Sequence, residues 1–181
     1  NGAWTISGDV ANLSGGALRG AGDGISLTGT TVTGAVANEG TIDAGLTGIN
    51  LNGTKVSGNA GNATQITATQ YGISLTGSSA ANLINSGSIT AASGTLTAGI
   101  SAVNAQLASL ANQAGGSITK ATDGISLSAS TITGAVANSG TIEAVQYGIG
   151  LTGTAASSAG ALVNAGTITA GTAGLLANGA W

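Results

Sequence analysis

The chain contains no Cys, Met, Pro, Phe or His. Without Cys no disulfide holds the fold. Without Cys and His the usual zinc ligands, the thiol nucleophile and the commonest general base are missing. A Cys-free chain is also compatible with export, because it cannot mispair in an oxidising space. Without Pro, no strand loses a ladder donor, so extended segments can stack on both edges. Charge is nearly absent. Arg19, Lys55 and Lys120 stand against Asp9, Asp23, Glu39, Asp43, Asp123 and Glu143, a net charge of −3. Three scattered cations do not make the basic stripe that phosphates require, so no nucleic-acid partner is expected. No apolar run is long enough for a transmembrane helix, and none is expected. No leader or initiating Met precedes Asn1, and the pattern is entered in mid-coil. This reads as a mature or excised piece of something longer.

What is present is a repeat. Gly24-Ile25-Ser26-Leu27-Thr28-Gly29 returns from Gly48, Gly72, Gly124 and Gly148, and more weakly from Gly99 and Gly174. The average step of about 25 residues is a solenoid period. Ile25 and Leu27 fall on one face and Ser26 and Thr28 on the other, the strand period of two. Thr31-Val32-Thr33 and Thr41-Ile42-Asp43-Ala44 alternate likewise, with Gly29, Gly34, Gly40 and Gly45 beside them where the chain turns. The expected fold is all-β: a single parallel β-solenoid over residues 1–181, with about seven coils and three short strands per coil. Right-handedness follows from the preference of parallel crossovers. Ile25, Leu27, Val32, Val36, Ile42 and Ala44 are expected inside the first full coil, and residues 1–23 form an incomplete one.

A second signature lies half a coil away. Asn38-Glu39-Gly40-Thr41-Ile42 returns at Asn85, Asn138 and Asn164. Asn62 begins a variant without the Gly, and Asn112 begins one with a two-residue insertion. Asn tolerates left-handed backbone angles, and stacked amides can form a ladder along an axis. A hydrogen-bonded corner ladder is the preferred reading of Asn38, Asn62, Asn85, Asn112, Asn138 and Asn164; a ligand-binding amide row is the other. At longer range, residues 24–54 resemble 124–154, and Asn178-Gly179-Ala180-Trp181 repeats Asn1-Gly2-Ala3-Trp4. This reads as a super-repeat over 1–177, with 178–181 starting the next copy. Neither end shows the polar cap that solenoids usually carry.

Candidates for chemistry are few. Asp23 and Asp123 share a coil position four coils apart, about 19 Å at the strand spacing, as do Asp43 and Glu143. Paired carboxylates for glycoside hydrolysis stand about 5–9.5 Å apart. Neither enzyme activity, a cofactor nor a metal is expected. Ser88-Ile89-Thr90, Ser117-Ile118-Thr119 and Thr167-Ile168-Thr169 build hydroxyl rows like those of ice-binding solenoids, interrupted by Asp43, Gln65 and Glu143. Tyr71 and Tyr147 fall at one corner, three coils apart, where a ring can stack on a sugar or simply cover a turn.

The Gly-Ile-x-Leu strand and the Asn-x-Gly-[Ser/Thr]-Ile corner resemble the passenger repeats of bacterial autotransporters and filamentous-haemagglutinin-type adhesins, over nearly the whole chain. The resemblance implies a right-handed parallel β-helix that is secreted and displayed at the bacterial cell surface. The expected role is a structural repeat unit of an extracellular fibre or adhesin shaft. Its partners are other copies of itself, end to end or in tandem, and cell-surface glycans. An ice- or glycan-binding solenoid is the alternative, and a polysaccharide-active β-helix enzyme a more remote one.

Overall fold

A computed structural model describes residues 4–152 and 158–178. It is an all-β parallel solenoid of about 7 coils at about 25 residues per turn. No helix occurs among the described residues, so none is long and apolar enough to cross a membrane. One coil shows the plan. Thr30–Val32 and Val36–Asn38 join a ten-stranded sheet, and Thr41–Ala44 and Thr47–Asn52 join a twelve-stranded one. The three strands expected in the first full coil are present as Ile25–Thr28, Thr30–Val32 and Thr41–Ala44, and Val36–Asn38 adds a fourth segment. The opening stretch is more complete than expected. Trp4–Ile6, Val10–Asn12 and Ala17–Gly20 pair in parallel with Thr30–Val32, Val36–Asn38 and Thr41–Ala44. Residues 1–3 and 179–181, which carry most of the four-residue echo, lie outside the described residues.

The register stacks like on like. Ile25, Ile49, Ile73, Ile100, Ile125 and Ile149 form one inner column. Ile42, Ile66, Ile89, Ile118, Ile142 and Ile168 form another. Val32, Val36, Ala44, Leu51, Val56, Ala68, Leu75 and Ala91 are buried with them, and Leu27 packs against them half-buried. Burying a Leu, Ile or Val side chain contributes about 1.5–3 kcal/mol. No coil has an inner face to bury against without its neighbours.

The glycine that opens each Gly-Ile strand is there for room. A Cβ on Gly72 would collide with Ile89 Cγ2 and lie 2.6 Å from the Gly99 carbonyl oxygen. Gly24, Gly48, Gly99, Gly124 and Gly148 face the equivalent isoleucines in the same way. The lumen is therefore filled at this corner by a side chain from the next coil. A left-handed backbone is used elsewhere, at Gly29, Gly53 and Gly77, with φ of 60°, 58° and 56°. Asn104 and Ala129 take that conformation in later coils, at 52° and 51°.

Just past this corner, Thr54, Ser78 and Ser130 are buried. Thr54 Oγ1 donates to the Leu27 carbonyl (3.0 Å) and Ser78 Oγ to the Leu51 carbonyl (3.0 Å), each in the preceding coil. Ser130 Oγ donates to the Ala102 carbonyl (3.0 Å). In return, Ser78 Oγ accepts from the Thr54 N–H (2.9 Å) and Ser130 Oγ from the Ala105 N–H (3.0 Å). This is a buried hydroxyl clasp that composition alone conceals in so Ser/Thr-rich a chain.

Candidate functional site: the asparagine row and the outer faces

Each Asn of the repeated corner ends a Val-Ala-Asn-type strand, and the in-register pairing stacks them: Asn12 on Asn38, Asn38 on Asn62, Asn62 on Asn85. The column continues through Asn112, Asn138 and Asn164. Every Nδ2 donates to the Oδ1 of the next coil. The distances are 2.9, 2.7, 2.9, 2.8, 2.7 and 2.8 Å from Asn12 to Asn164. The second Nδ2 proton is used as well. Asn38 reaches the Gln65 carbonyl (3.0 Å), Asn85 the Gly87 carbonyl (3.0 Å) and Asn112 the Thr141 carbonyl (3.2 Å). Asn12 through Asn138 are buried, and Asn164 is exposed. An amide pointing at its neighbours and closed off from water offers nothing to a ligand. Sequence reading missed Asn12 because its corner, Asn12-Leu13-Ser14-Gly15-Gly16, carries extra residues. The signal was available. The Asn112 corner has the same length and the same turn, with Gly16 N–H to Leu13 and Gly116 N–H to Gln113 carbonyls, both 2.8 Å.

Tyr71 and Tyr147 share a second column, with Ala98 and Asp123 between them. Three strand spacings separate the tyrosines, about 14 Å. Both are half-buried. The Tyr147 ring lies along its own strand, where a Cβ on Gly150 would come within about 4 Å of it. The two rings therefore do not face each other across one site.

Asp123 beside Tyr147 is the unusual carboxylate. Burial pushes its pKa up, against a hydrogen bond from the Tyr147 backbone N–H. Its Oδ1 is buried and has no hydrogen-bond partner. Asp23, at the same coil position, is well served. It accepts from Ser26 Oγ (3.1 Å), the Thr47 N–H (3.1 Å) and Asn50 Nδ2 (2.7 Å). Gly150 occupies the place of Asn50 beside Asp123, so the side-chain amide donor that serves Asp23 is missing there.

The hydroxyl rows lie on the outer face of the twelve-stranded sheet. Thr67 pairs in register with Thr90, and Thr119 Oγ1 donates to Thr90 Oγ1 at 3.1 Å. Ser88 and Ser117 run beside them. Asp43 adjoins this run through Thr67, and Glu143 adjoins Thr169. Among the described residues, no three acidic side chains gather in one place.

No protein-family model, curated protein or solved structure matches the chain.

Proposed function

We propose that the chain is a structural repeat unit in the shaft of an extracellular bacterial fibre or adhesin. The asparagine row carries this reading. Its amides are spent on one another, coil to coil, so the most regular polar feature of the chain serves cohesion along an axis. Continuous parallel ladders make such a body stiff, and the ladder pattern can continue through a further coil, in tandem or from another copy. The low-charge Ser/Thr/Asn surface suits close packing with neighbours or contact with glycans. Secretion to the bacterial surface belongs to the same reading.

The test is immunogold labelling of intact source cells with an antibody to the folded chain. Label along surface filaments is the expected outcome. Label confined to the cell interior would sink the proposal. A second reading, an ice- or glycan-binding module, is favoured by the continuous Thr67–Thr90–Thr119 hydroxyl row. Thermal hysteresis or saturable sugar binding by the isolated chain would move that reading ahead; neither is expected. Turnover of a polysaccharide, the mark of a β-helix enzyme, is not expected either.

A further inference from the structure

We infer that the outer face of the ten-stranded sheet is a lateral docking surface for a second copy of this chain, with the two rods running in opposite directions. The inference deepens the shaft reading by naming how neighbouring shafts would touch.

No residue between Lys55 and Lys120 carries a formal charge, so beyond Lys55 this face is neutral through the following coils. Soluble proteins normally break such flat neutral sheet faces with charge. Along its middle, alternating with the buried Val36, Leu83 and Val136, run the outward residues Ala37, Gly61, Ile84, Ala111 and Ala137. Ile84 is the one bulky side chain of these five and adjoins the one residue without a side chain; a second bulky residue of the column, Val163, lies one coil past Ala137, beyond the coils that pair. Beside Ile84 a groove of about 240 Å³ opens over Ala37 and Gly61, with this residue in its wall. A knob next to a hole is self-complementary under a two-fold axis along the strand direction, passing between the Gly61 and Ile84 coils. That axis reverses the rod and seats each Ile84 over the partner copy's Gly61 groove. It brings Ala37 opposite the partner copy's Ala111. A parallel pairing would instead set Ile84 against Ile84 and leave both grooves empty.

The rim agrees with the antiparallel register. Glu39 comes opposite Gln113, Lys55 opposite Ser79, and Asp9 opposite the uncharged Thr133–Ala135 corner, so no like charges meet. Asn59 and Asn82, already bonded to each other at 2.9 Å within one copy, come opposite their counterparts. The face is small. Six coils at about 4.8 Å by a width of about 14 Å give roughly 400 Å² a side, half of the usual 800 Å² per partner. One unit therefore pairs weakly, and several units in one shaft pair by avidity.

The absence of Cys gives a clean test on the full chain. The Ala37→Cys/Ala111→Cys double variant is treated with a short bis-maleimide at high protein concentration. Circular dichroism checks the fold. Covalent dimers are expected from the double variant and not from either single variant, whose thiols lie about 14 Å apart in the pair. Sedimentation equilibrium of the cysteine-free chain should show a weak dimer, with Ile84→Ser raising its Kd at least tenfold and Ala37→Glu abolishing it. A chain that stays monomeric at millimolar concentration overturns the proposal. Cross-linking of Ala37→Cys alone, as efficient as that of the double variant, overturns the antiparallel register. Neither result bears on surface labelling of source cells, which tests the shaft reading separately.

Discussion

Asn85 sits in the middle of the amide row, accepting from Asn62 Nδ2 and donating to Asn112 Oδ1. Asn85→Ala would leave a buried donor and a buried acceptor unpaired, and each such group costs about 1–3 kcal/mol. A loss of about 2–4 kcal/mol is expected in urea unfolding. Asn164→Ala, at the exposed end of the row, should cost under about 1 kcal/mol. Equal losses at the two positions would mean that the row does not hold the corner. Gly72→Ala tests the other packing rule. Its Cβ meets both a side chain and a backbone oxygen, and overpacking of this kind costs about 1–3 kcal/mol. Asp123 gives a pH signature. Burial raises its folded pKa above the ordinary 3.8, so the folded chain holds this proton more tightly than the unfolded chain does. Its contribution is fully present below 3.8 and is lost as pH rises through the folded value. Asp123→Asn should therefore be more stable than the parent at neutral pH, with the difference shrinking in acid. A variant less stable than the parent at pH 7 would contradict this account of the site.

At the scale of the element, the Gly-Ile-x-Leu and Thr-Ile-x-Ala strands were legible in the sequence because each alternates a large apolar residue with a hydroxyl or a charge. Val36–Asn38 was not, because its outward residue is Ala37, which gives no polar contrast, and three residues are too few to show a period. The hydroxyl clasp was invisible for a different reason. Thr54 and Ser78 look like any other Ser or Thr after a glycine, and only the corner turns them inward. Corner length also varies without breaking register. Three residues separate Val32 from Val36 and two separate Ala80 from Leu83, yet Val36 and Leu83 stay in one column through Ala60. A two-residue insertion after Asn138, matching the Asn112 corner, should accordingly cost little. A one-residue insertion between Ile100 and Ala102 would turn the following inward residues outward, and should unfold the chain. Thermal melts of the two insertions distinguish these outcomes, and equal melting temperatures would contradict the register argument.

For the whole molecule, stability is shared between neighbouring coils and grows with their number. Among the described residues no three acidic side chains gather, and the regular polar groups face one another or form flat rows, which suits a body whose work is mechanical. The most direct test of that account is mass per length, measured by scanning transmission electron microscopy on natural filaments that carry the chain. Seven coils at about 4.8 Å place 16.8 kDa on roughly 34 Å of axis, so a single shaft should weigh about 0.5 kDa per Å and a laterally paired shaft twice that. Filaments at either value are the expected result. Short compact particles, or filaments whose mass per length fits neither value, would contradict a shaft built of stacked coils.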